Sequence, residues 1–146
     1  MAAEFAALDQ IDNEILSILR DDGRIGWSEL GARVHLSPNA VAERVRRLRR
    51  VGVIRRFSAE IDPAAFGRTL EAVIDVRVPS DGLDRFNAGI ISFEEVTWIA
   101  HVTGRTDYQV HVACAGTKGL NTLLTRFRDE LGAVETLTTV VLERIR

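Results

Sequence analysis

The chain is poor in the residues that build covalent or metal-held frameworks. It has one cysteine, Cys114, in 146 residues. A single thiol can form neither an intramolecular disulfide nor a thiolate zinc cluster. The three histidines, His35, His101 and His111, share no metal-binding spacing on one helix. No apolar run approaches the roughly 20 residues of a membrane span. The first ten residues, MAAEFAALDQ, carry acids where a secretory signal needs an unbroken apolar stretch. A cytoplasmic protein with no membrane partner is therefore expected. There is no glycine-rich phosphate loop, and Ser28, Ser37 and Ser58 have no nucleophile-elbow context. No catalytic residue, metal or cofactor is assigned. The net charge is only -2, so the whole chain has no pull toward nucleic acid.

Charge counted locally is different. Residues 43–56 hold seven arginines against one acid, Glu43. That is +6 in fourteen residues of a chain with net charge -2, which leaves -8 for the rest. A charge run alone is most often a solvated face, but a basic island on an acidic body also fits a localised anionic partner.

The pattern around the island is helical. Leu8, Ile11, Ile15, Leu16 and Leu19 fall at helical spacing behind a capping Asp9, and Gly23 ends that helix. A second helix is predicted over residues 28–34, with Ser28 as N-cap. Ser37-Pro38 then gives a strong start signal, serine at the cap and proline at the first helical position. The third helix runs to Val51, and Gly52 closes it. Three helices joined by tight turns, the third basic, make a helix-turn-helix pattern.

At about 100° per residue, Val41, Val45 and Leu48 form the buried stripe of the third helix. Asn39, Ala40, Glu43, Arg46, Arg47 and Arg50 lie opposite, with Arg44 and Arg49 on the flanks. Asparagine can read adenine, arginine guanine and glutamate cytosine at major-groove base edges. Small Ala40 and Ala42 keep the helix surface low near its start. The predicted readers are Asn39, Glu43, Arg46 and Arg47. Ser37, Arg44, Arg50 and Arg55 are predicted to hold backbone phosphates, and the partner is double-stranded DNA.

The next segment, VIRRFSAEI, is short and β-like, suiting a winged-type domain. IDPAAFG reads as a hinge. The expected division is a DNA-binding domain over residues 1–58, a hinge over 59–68 and a second domain over 69–146. That second part alternates strand, helix, strand, strand, helix, strand, the ferredoxin-like βαββαβ order of an α+β fold. Its exposed sheet face is expected to carry Val73, Ile99, His101, Gln109, His111, Thr136 and Thr138. Trp98, Ala100 and Val102 are expected inside with Tyr108, Val110, Val112 and Cys114. Val102 should sit opposite Tyr108 and leave a loop over residues 103–107. A semi-polar sheet face could pair two copies, and a symmetric dimer suits two DNA half-sites.

The motifs also resemble a known family. Leu8-Asp9 with Asp12, Asp22-Gly23-Arg24, Leu36-Ser37-Pro38, Arg44-Val45 with Leu48, and Gly52-Val53-Ile54 are similar to the pattern of the Lrp/AsnC transcription regulators. The likeness continues through VTGRTDYQVHV and TLTTVVL. It implies a sequence-specific regulator whose second domain binds a small effector, often an amino acid, and forms a homodimer assembling to a homo-octamer. It places the effector at the turn after the second strand, so the candidate effector residues are His101, Thr103, Gly104, Arg105, Thr106, Asp107, Thr136 and Thr138. Asp107 could accept from an α-ammonium group, although glycine and aspartate are common in any turn. Arg105 departs from the family pattern, which usually has an acid there. It either favours a ligand with another carboxylate, pairs with the α-carboxylate, or marks a pocket that no longer takes amino acids.

Two other classes fit the residues less well. Sirohaem decarboxylases resemble the same layout, but this chain lacks the Tyr and Arg that accompany their histidine motif near His101. A scaffold protein would use the ferredoxin-like half for assembly, with DNA binding incidental.

Overall fold

The computed structural model describes residues 8–145, so the acidic start at Glu4 lies outside the described residues. The chain divides into two compact units, one ending at Glu60 and the next beginning at Ile61.

The first unit has three helices: α1 (Gln10–Asp21), α2 (Trp27–Arg33) and α3 (Pro38–Arg50). Asp9 caps α1 reciprocally. Its carboxylate accepts from the Asp12 N–H at 2.7 Å, and the Asp12 carboxylate accepts from the Asp9 N–H at 3.3 Å. Ile15, Leu30, Val41, Val45 and Leu48 make the buried core. The cap of the second helix lies two residues earlier than expected. Gly26 is its N-cap, so Ser28 sits inside the first turn and caps nothing.

The α2–α3 turn is closely packed at Gly31. The Leu36 N–H donates to the Gly31 carbonyl at 2.9 Å. A Cβ on Gly31 would come within 2.6 Å of the Leu36 carbonyl oxygen, so only glycine fits there. His35 turns the chain in the left-handed region, with φ at 56°. Ala42, expected on the exposed side of α3, is buried and packs inward. The β-like residues 53–61 form no strand, because no described residue up to Glu60 offers a ladder partner. Val53 and Ile54 instead fold back on the helical core.

The second unit is β1 (Leu70–Arg77), α4 (Leu83–Ile90), β2 (Val96–His101), β3 (Tyr108–Cys114), α5 (Gly116–Asp129) and β4 (Glu135–Val140). All pairings are antiparallel in the order β2-β3-β1-β4, the ferredoxin-like arrangement. Both helices cover one sheet face. Phe86 of α4 stacks on Tyr108 at 4.5 Å, and Phe127 of α5 meets Phe86 and Phe93 edge-on. Ala72, Ile74, Val76, Val110 and Val112 floor this core. Burial pushes the Cys114 thiol up, as suits a small core residue.

Two strands run in the opposite phase from that expected. In β2, Val96 pairs with Val112 and Trp98 with His111, so one extra residue, Thr97, bulges out. A one-residue insertion exchanges the faces of everything beyond it. Trp98, expected in the core, is half exposed on the open face and meets His111 edge-on at 4.8 Å. Ala100 lies opposite Gln109 on that face, while Ile99 and His101 lie on the helix side opposite Val110 and Tyr108, with His101 still exposed at the strand end. His101, not Val102, is therefore the partner of Tyr108. In β4, Thr136 and Thr138 lie opposite the buried Val76 and Ile74. They belong to the helix side, and Leu137 takes the open face at 64% exposure. Strand β4 is an edge whose inner side is only half covered, so threonine is tolerated there.

Candidate nucleic-acid interface

Helix α3 is set by its own ends. The Ser37 hydroxyl accepts from the Ala40 N–H at 3.2 Å, and Pro38 occupies the first turn. Gly52, with φ at 79°, turns the chain away at the other end. The apolar stripe of Val41, Val45 and Leu48 faces the core, so the rotation of every other side chain is fixed.

Asn39, Glu43, Arg46 and Arg50 share the exposed face. Arg46 and Arg50 are each 70% exposed, and both reach Glu43, at 3.2 and 3.6 Å. Such exposed pairs are worth little, so an incoming ligand displaces them readily. Ser37 is exposed and Ala40 half-buried beside this face; Arg55 is exposed past the helix end.

Arg44 and Arg47 sit differently. Both turn toward α1, where Asp12 is fully buried. Arg44 donates from Nη1 to Asp9 Oδ2 at 2.6 Å and to Asp12 Oδ1 at 2.9 Å. Arg47 donates from Nη2 to Asp12 Oδ2. Burial pushes the Asp12 carboxyl up, but hydrogen bonds from Arg47, Arg44 and the Asp9 N–H outweigh it, and the group lies below the ordinary carboxylate range. Asp9 is lowered too, first by the Asp12 N–H and then by Arg44. The two guanidiniums, 29% and 35% exposed, still present N–H groups to solvent from a fixed position. Sequence reasoning missed Asp12 as a partner of α3. A signal for it exists: an acid stands on the buried side of α1, in line with Ile15 and Leu19.

In the second unit, residues 102–107 make the turn between β2 and β3. Gly104 adopts φ of 133°. Thr103, Gly104 and Arg105 are exposed, and Thr106 is half-buried. Asp107 is the anchor. Its Oδ2 accepts from the Val78 N–H at 2.8 Å, its N–H donates to the Val76 carbonyl at 2.9 Å, and its carbonyl accepts from the Val102 N–H at 2.8 Å. His101 stacks on Tyr108 at 4.8 Å beside this turn, and the Tyr108 hydroxyl donates to Asn87 at 2.8 Å. Thr136 and Thr138 are not brought to it. Three strand spacings of about 4.8 Å separate β2 from β4, with Tyr108 and Val76 between. Among the described residues, no group of three His, Cys, Asp or Glu is placed to hold a metal, and no helix is long and apolar enough to cross a membrane.

Residues 8–49 match the AsnC-type helix-turn-helix domain, and residues 71–146 match the Lrp/AsnC ligand-binding domain. The chain belongs to the Lrp/AsnC family of transcriptional regulators. As an Lrp/AsnC regulator it joins a DNA-binding helix-turn-helix to a ligand-binding ferredoxin-like domain. It is 36% identical to the regulator AldR of Mycolicibacterium smegmatis, over 95% of this chain and 84% of that one. The leucine-responsive regulatory protein of Salmonella typhimurium is 35% identical, over 95% and 87%. Among solved Lrp/AsnC structures, a Neisseria meningitidis regulator in complex with L-Met superposes with a TM-score of 0.89 at 28% identity, covering 96% of this chain and 93% of that one. The feast or famine regulatory protein of M. tuberculosis, complexed with L-methionine, gives 0.86 at 35% identity, covering 96% and 95%.

Proposed function

We propose that this regulator reads a specific DNA sequence with α3 and responds to an amino acid at the turn over residues 102–107. The observation that carries the reading is the fixed rotation of α3. Asn39, Glu43, Arg46 and Arg50 point outward together, beside a pair of guanidiniums clamped by a buried acid. Asn39, Glu43 and Arg46 are the base readers. Ser37, Arg50 and Arg55 hold phosphates, and Ala40 allows close approach. Arg44 and Arg47 serve as pre-positioned phosphate contacts, so Arg47 moves from the base readers to the backbone set. A major groove about 12 Å wide admits such a helix.

On the effector side, Gly104 and the exposed Arg105 are the ligand contacts, with Thr103 and Thr106 beside them and His101 at the rim. Asp107 positions the turn, and its Oδ1 remains for an ammonium group. The L-methionine complexes of two relatives support an amino acid as the ligand class. Thr136 and Thr138 would join such a site only from a second copy of the chain. The open sheet face, with Val73, Trp98 and Leu137, is the surface for a homodimer, and dimers build toward an octamer. The cytoplasm of a prokaryotic cell is where such a protein acts.

Two experiments test this reading. Duplexes selected from a random pool should bind at least about 10³-fold tighter than scrambled ones at the same salt. A thermal-shift panel of amino acids should give a shift with at least one, abolished in Arg105→Ala. A ligand at a hundred times its Kd adds about 2.7 kcal/mol. Equal binding to all duplexes would end the regulatory reading, and a flat panel would end the amino-acid half alone.

A further inference from the structure

Helix α3 has two flanks, and the clamped arginines occupy only one. At about 100° per residue, Arg44 and Arg47 fall on the side toward Asp12. Ala42, Arg46 and Arg49 fall on the other. That second flank borders a cleft of about 530 Å³. Buried Ile25, Ala42 and Val45 form its floor. Trp27 and Phe57 stand at its walls, each 43% exposed although large and apolar. Arg24, Arg46 and Arg49 complete it, and no acid lines it. Among the described residues, neither the Arg24 nor the Arg49 guanidinium has a carboxylate partner; the Arg24 backbone N–H donates to Asp22 Oδ1 at 2.9 Å. Arg49 instead lies over the Phe57 ring at 5.9 Å, and Phe57 in turn packs 3.5 Å from where a Cβ on Gly23 would stand.

A helix in the major groove has a phosphate strand on each side. An apolar floor with aromatic walls suits the carbon face of a deoxyribose, and guanidiniums without a carboxylate suit its phosphates. We propose that this cleft seats the sugar-phosphate backbone of the strand on the far side of α3 from Asp12. Arg24 and Arg49 hold its phosphates, and Trp27 and Phe57 pack against its sugars. The inference rests on α3 entering the groove, as proposed above. It adds residues from the α1–α2 turn, the start of α2 and the segment after α3 to the DNA-binding surface.

The test uses the full chain on a selected duplex and a scrambled one, across a salt series. The Arg24→Ala/Arg49→Ala double variant should bind both at least about tenfold more weakly. Its slope of log affinity against log salt should fall by about 1 for each phosphate no longer neutralised, with the ranking of duplexes unchanged. The fluorescence change of the wild-type protein on adding duplex should vanish in Trp27→Phe, which keeps an aromatic wall and leaves Trp98 in place. Unchanged affinity and slope in the double variant overturn the proposal, as does an altered ranking, which would make these residues base readers. Wild-type protein that binds every duplex equally, with a reduced slope in the double variant, defeats base reading by α3 and leaves the backbone seat standing. Wild-type protein that binds no duplex defeats both.

Discussion

Arg47 of α3 donates to the buried carboxylate of Asp12 on α1. Arg44 donates to the other oxygen of the same group. One acid thus fixes two guanidiniums and ties α3 to α1. Asp12→Asn keeps the shape and removes the charge. Hydrogen bonds to charged groups contribute roughly 1.5–3 kcal/mol each, but both arginines can turn to water when released. The variant should lose about 2 kcal/mol of stability, read from urea unfolding. It should also bind DNA more weakly on every sequence, since the freed arginines must be ordered again on binding.

The same pair sets an acid limit. The folded-state values of Asp9 and Asp12 lie below the ordinary 3.8. The unfolded chain therefore binds more protons at low pH. The contribution is fully present above about pH 4 and is lost as pH falls through the folded-state values. Urea midpoints should not change with pH near neutrality through these groups, and should fall steeply in acid. In Asp12→Asn the acid fall should be shallower. A wild-type stability loss centred near pH 6 would point to histidine instead.

The turn between α2 and α3 offers two substitutions of opposite sign. Gly31→Ala places a methyl 2.6 Å from the Leu36 carbonyl oxygen, so the turn must open. Overpacking of this kind costs about 1–3 kcal/mol. His35 is exposed in the left-handed region, which a side chain disfavours. His35→Gly should leave stability equal or raise it by up to about 1 kcal/mol. Thermal unfolding of both variants checks the pair.

The open sheet face should govern assembly. Trp98 and Leu137 are 50% and 64% exposed on a single chain. Trp98→Lys should move the protein toward monomer in sedimentation without unfolding it, because the ring contributes nothing to the helix-covered core. An unchanged assembly would place the dimer interface elsewhere.

Much of this was readable from the residues. The caps at Asp9 and Ser37, the glycine after α3 and the stripe of Val41, Val45 and Leu48 are local signals, and local signals survive folding. The order of strands and helices followed from periodicity. Phase did not. Nothing in VTWIAH announces that Thr97 bulges, and that one residue moved Trp98 to the open face and His101 to the helix side. In ETLTTV both phases place a threonine and an apolar residue on each face, so only pairing with β1 decided between them. The partners of Arg44 and Arg47 include a residue more than thirty positions away, which helical spacing alone cannot see. At the turn over residues 102–107, Asp107 was legible but not its hydrogen bond to the Val78 N–H, which makes it an anchor.

The central claim is that α3 reads bases, and Arg46 is a 70% exposed arm on its outer face. The direct measurement is the affinity of wild type and Arg46→Ala for a selected duplex and for its single-base-pair variants, at one salt concentration. The account predicts a loss of about 1–3 kcal/mol on the selected duplex and relaxed preference at one position. Equal weakening on every duplex, or none, would contradict it.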